Sequence, residues 1–151
     1  MDGSVNSCAT SPVLTVSALR AEIELIATRA GLDADQRGDL ALVVSELATN
    51  GLVHGRDPVM VSVEITTDAV VVLVWDSMVV PLPDPRTFGR GDETGRGLAI
   101  VGQLANVSWG LAGDRKYVRA VMPIPRRTWV EMFIAVELRP LARPHKEALA
   151  S

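Results

Sequence analysis

The stretch AVVVLVWD, residues 69–76, constrains the fold more than any other part of the chain. It is rich in β-branched residues, is apolar on both alternating faces and ends in a carboxylate. A strand of this kind is expected in the middle of a sheet and covered. Just before it, VMVSVEITT alternates Val59, Val61, Val63 and Ile65 against Met60, Ser62, Glu64 and Thr66, the pattern of a half-buried strand. Thr67-Asp68 is a short turn between the two. An apolar hairpin must bury its inner face, so the chain has to supply a second layer.

That layer is legible upstream. From Ser17 to about Ala30, Leu19, Ile23, Ile26, Ala27 and Ala30 recur at helical spacing, and Gly31 ends the run. Asp33 then reads as an N-cap, with Gln36 three residues on completing a capping-box pair. The second helix is expected to reach about Val53, burying Leu40, Val43, Val44, Leu47, Ala48 and Gly51. At ~100° per residue, Glu46 and Asn50 fall just beside that stripe, at the rim of the core and off the solvated face.

Asp57-Pro58 breaks the chain before the hairpin, and residues 77–94 form a long proline-containing loop of the kind that often serves as a lid. A short helix is expected at about 97–105, with Leu98, Val101 and Leu104 on one side. VSWGL and YVRAVMP read as strands joined by AGDR, and WVEMFIAVEL as a further strand after PIPRR. No repeat or second domain is visible.

Composition narrows the function classes. Hydrophobic residues are 48% of the chain, enough for a core, and the formal net charge is −3. Phosphate-backbone binding needs concentrated Lys and Arg, so a direct nucleic-acid role is not expected. Cys8 is the only cysteine, which leaves no disulfide framework or cysteine zinc site. The N-terminus has no signal-peptide pattern and AVVVLVW is too short to span a bilayer. A cytoplasmic protein without a membrane role is the expectation.

Three elements carry candidate chemistry. Glu46, Asn50 and His54 lie four apart along one helix in SELATNGLVHG. Magnesium prefers oxygen ligands and keeps several waters, so one amide carbonyl plus phosphate oxygens can hold it. A carboxylate one turn earlier can orient or deprotonate a hydroxyl, and His54 can donate to phosphate. The same residues also fit a Glu–Asn rim pair and a histidine favoured by the helix C-terminus. Asp76, at a strand end, can accept from an exocyclic amine or simply begin a turn. TGRGLAIV, residues 94–101, sets Gly95 and Gly97 at a helix start, where free N–H groups and Arg96 can meet phosphate. It is neither a Walker A loop nor a dinucleotide fingerprint.

In this order, the parts resemble the GHKL (Bergerat-fold) ATP-binding domains, most closely the anti-sigma serine/threonine kinase regulators of actinobacterial type. SELATNGLVHG is similar to the family's N-box, Asp76 to its adenine-reading aspartate, and TGRGLAIV to its glycine-rich box. The resemblance spans roughly residues 13–122. It implies Glu46 as catalytic base or water-positioning carboxylate and Asn50 as magnesium ligand. It also implies Asp76 as partner of the adenine amine, and Gly95, Arg96, Gly97 and Leu98 over the phosphates. ATP and Mg2+ are the implied cofactors. The implied activity is phosphoryl transfer to a serine or threonine of an anti-anti-sigma antagonist, with partner switching that involves a sigma factor. Arg20 on the first helix is a candidate partner contact, and a homodimer is compatible with the resemblance.

The alternative is a nucleotide-independent module of the same fold that sequesters a sigma factor or antagonist. Met78 stands where the family often has glycine. Tyr117 is read as filling or stacking at the mouth of the base pocket, and Lys116 as an exposed turn lysine. The expected fold is a two-layer α/β sandwich: a mixed, mostly antiparallel sheet covered on one face by three helices near 17–30, 34–53 and 97–105. Residues 1–12 are expected to be a flexible lead-in and 13–122 a histidine-kinase-like ATP-binding domain. Residues 123–151 are expected to be a C-terminal extension with a candidate extra strand and a mobile tail.

Overall fold

The computed structural model describes residues 13–78, 93–125 and 132–140, with 93–95 as backbone only. The expected lead-in, most of the long loop and the end of the tail lie outside the described residues. The described elements run β1 (Val13–Leu14), α1 (Val16–Arg29), α2 (Ala34–His54), β2 (Val59–Ile65) and β3 (Ala69–Asp76). They continue with α3 (Glu93–Leu104), β4 (Asn106–Ala112), β5 (Arg115–Pro123) and β6 (Met132–Leu138). They form the expected two-layer α/β sandwich. One mixed sheet, ordered β1-β6-β2-β3-β5-β4, carries three helices. Every strand pair is antiparallel except β1 with β6. Among the described residues, no helix is long and apolar enough to cross a membrane.

The helices start and stop where their local chemistry requires. Thr15 caps α1 by accepting from the Ala18 amide at 3.2 Å. Gly31, at φ 75, closes its end in the left-handed region that glycine enters without Cβ strain. Asp33 and Gln36 form the expected reciprocal box at the start of α2, at 2.8 and 2.9 Å. The six residues read as the α2 stripe are the six that are buried.

In the sheet, parity decides what faces the helices. Val59, Val61, Val63 and Ile65 of β2 and Val70, Val72 and Val74 of β3 are buried, joined by Ala120 and Met122 of β5 and Val136 and Leu138 of β6. Asp76 continues the β3 row and Lys116 opens the β5 row, and both are buried beneath the helical layer. The expectation that β3 is central holds, but only one of its faces is fully covered. Ala69, Val71, Leu73 and Trp75 on the other face are half-buried.

Two differences concern the ends of the fold. Short β1 was not anticipated; two residues carry no periodic signal. The tail strand is interior: β6 sits between β1 and β2 and pairs along its whole length with β2.

Candidate functional site

Leu47, Asn50, Gly51 and His54 of α2, Val74 and Asp76 of β3, Leu98 of α3, and Lys116 and Val118 of β5 line a cavity of about 470 Å³, measured out to its mouth. Four elements converge there because of two close approaches. A Cβ added at Gly51 would stand 2.9 Å from Val59 Cγ1 and 3.1 Å from Val74 Cγ1, so the bare glycine lets the end of α2 settle onto the hairpin. A Cβ at Gly97 would collide with the Glu46 carboxylate, so the bare glycine lets that carboxylate rest against α3 where it does.

Glu46 and Asn50 are half-buried, as their place beside the stripe implied. Glu46 packs against the backbone of Gly97. Asn50 faces the cavity, and its Nδ2 is buried without a hydrogen-bond partner among the described residues. An orphaned buried amide costs free energy of about 1–3 kcal/mol, so its persistence points to a ligand-binding role. His54 is exposed at the rim.

The strand end of the cavity is built differently. Asp76 Oδ1 accepts from the Met78 amide at 2.7 Å, and Oδ2 lies 3.4 Å from Lys116 Nζ. The two side chains are 4% and 6% exposed. A burial of that depth for two opposite charges is tolerable only because they face each other. Asp76 and Lys116 are also opposite one another in the β3–β5 register, which delivers both to the same spot on the same face. The segment after α2 wraps this corner. A Cβ on Gly55 would come within 2.8 Å of Asp76 Cγ, Ser77 N donates to Arg56 O at 2.9 Å, and Ser77 Oγ donates to Asp57 O at 2.6 Å.

Three readings of the sequence need correction. Lys116 is buried and lines the cavity; it is not an exposed turn lysine, because β5 begins before it and its parity points it under the helices. Tyr117 has the opposite parity. It lies on the outer face of the sheet, its ring 4.9 Å from that of Trp75, and does not line the cavity. The third helix begins at Glu93 and not at about Gly97, so Gly95 and Gly97 both lie within α3. The N–H groups without an intrahelical partner in its first turn are therefore those of residues 93–95. Leu98 lines the cavity, while Arg96 is exposed and outside the lining. Met78 touches the site through its backbone amide. Lys116 is the site residue missed at first; the alternation Lys116, Val118, Ala120, Met122 was the signal that could have found it.

The family model described as a histidine kinase-like ATPase domain matches residues 9–121. The chain belongs to this family. No curated protein matches it. The matched span contains every described residue of the cavity, whereas β6 lies beyond it and still completes the sheet. A histidine kinase-like ATPase domain implies a nucleotide site, and the cavity has features that fit one: apolar walls from Leu47, Val74, Leu98 and Val118, with polar groups confined to a few positions. The orphaned Asn50 amide can turn to offer Oδ1 to a cation. Among the described residues no three His, Cys, Asp or Glu side chains cluster, so a cation here would take most of its ligands from phosphate and water.

Proposed function

We propose that this chain binds ATP with Mg2+ in the cavity and transfers the γ-phosphoryl group to a serine or threonine of an anti-anti-sigma antagonist. In this reading it acts in the cytoplasm as an anti-sigma-type regulator that switches between sigma factor and antagonist. The nucleotide half of the proposal is carried by one observation: Asn50 and Asp76, distant in the chain, line one cavity beside the Glu46–Gly97 contact. The choice of partners, and a homodimeric assembly, rest on the sequence resemblance.

In this mechanism Asn50 Oδ1 holds the cation, which when bound neutralises phosphate charge. Glu46, one turn away, accepts the proton of the attacking hydroxyl. That oxygen bonds to the γ-phosphorus, the bridge to the β-phosphate breaks, and ADP leaves with the bonding electrons. Exposed His54 at the rim and Arg96, with the free amides at the start of α3, are the donors available to phosphate oxygens. Gly97 keeps the Glu46 carboxylate against the backbone of α3, and Leu98 closes the cavity beside it.

One observation favours a second reading, a sequestration module that needs no nucleotide. Both Asp76 oxygens already have partners within the protein. Calorimetric titration with ADP and magnesium separates the two. We expect micromolar binding that weakens by about tenfold, or about 1.4 kcal/mol, in Asn50→Ala when magnesium is present. No heat and no thermal stabilisation at millimolar nucleotide would favour the sequestration module. With labelled ATP and an antagonist protein, Glu46→Ala should slow transfer by ~10²–10⁴. Transfer at the wild-type rate would remove Glu46 from the role of base.

A further inference from the structure

We infer that Lys116 is a second base-reading residue, donating to the ring nitrogen N1 of the adenine whose amine faces Asp76. The inference rests on reading the cavity as an adenine-nucleotide site. Lys116 lines the cavity, is 5% exposed, and projects from β5 directly opposite Asp76. Its ammonium is 3.4 Å from Asp76 Oδ2, longer than a strong charge-assisted hydrogen bond. An ammonium carries three donors, and a single carboxylate oxygen at that distance leaves capacity for another acceptor.

Asp76 Oδ1 already accepts from the Met78 amide, while Oδ2, beside Lys116, keeps a lone pair for a ligand donor. The strand end of the cavity therefore presents one acceptor, Oδ2, beside one cationic donor, Nζ. The Watson–Crick edge of adenine presents the complement: an amine donor at position 6 next to an acceptor at N1. A base with two adjacent N–H donors, such as guanine, would instead turn its N1–H toward the Lys116 ammonium, donor against donor. The ion pair is thus not a plug. It becomes a matched donor–acceptor pair when the base inserts its edge, and until then the two buried groups face each other.

The test changes one ligand atom. The full-length protein is titrated calorimetrically with magnesium and either ADP or 1-deaza-ADP, in which N1 is replaced by C–H. In the wild type, 1-deaza-ADP should bind about 30-fold more weakly, the loss expected for a hydrogen bond to a charged donor. In Lys116→Met the two ligands should differ by less than about threefold, because the donor is gone. Lys116→Gln, which keeps a neutral donor, should fall between, and it serves if the methionine variant does not fold. Equal affinities in the wild type, or the same ratio in wild type and variants, would overturn the role of Lys116 while leaving the nucleotide site intact. No binding of ADP by the wild type would overturn the site and this inference together.

Discussion

The two ends of the cavity solve opposite problems. At the strand end, Asp76 and Lys116 are nearly fully buried and compensate each other. At the helix end, Glu46 and Asn50 are half-buried and His54 exposed, and the Asn50 amide has no partner. The first arrangement ties recognition to stability, since neither charge can be removed without stranding the other. The second leaves its chemistry free of the fold. A site built this way can change its helix-end residues at little cost in stability, whereas its strand end is held by the sheet.

That contrast can be broken by experiment. The largest effect is expected from Asp76→Ala, which leaves the Lys116 ammonium buried and unpaired. It should destabilise the protein by about 3–5 kcal/mol in denaturant unfolding. A loss below about 1 kcal/mol would mean the strand end is not an interdependent pair. Next comes Gly97→Ala. Its methyl group would displace the Glu46 carboxylate, the movable end of a half-buried side chain, so the cost should not exceed about 1 kcal/mol. The double variant Gly97→Ala with Glu46→Ala should recover much of that loss, and failure to do so would place the clash elsewhere. The smallest effect is expected from Asn50→Ala. Removing an unpartnered amide relieves its desolvation cost while losing the side chain's packing, so unfolding free energy should stay within about 0.5 kcal/mol of wild type although nucleotide binding falls. A large destabilisation would show that the Asn50 side chain supports the fold after all.

The local parts of this protein were legible because they depend on residues near one another in sequence. The Asp33–Gln36 box, the α2 stripe and the β2–β3 hairpin each follow from capping chemistry or periodicity over a few turns or strand steps. Glu46 and Asn50 could be marked from the same helical spacing and from their likeness to a known box. The start of α3 was placed about four residues late because two glycines in TGRG are poor helix formers, and helix propensity gives no hint that one of them faces Glu46. β1 was missed because two residues in a parallel pair draw their stability entirely from β6.

Lys116 and Tyr117 mark the boundary between the two kinds of information. Which of two neighbours on β5 enters the cavity is a question of strand parity, and a shift of one residue reverses the answer. By itself, the sequence determined the helices, the alternating strands and the residues capable of binding a nucleotide. Only the tertiary structure decided that a lysine and an aspartate from separate strands meet beneath the helices, because register and layer packing are set by contacts between segments that no local pattern encodes.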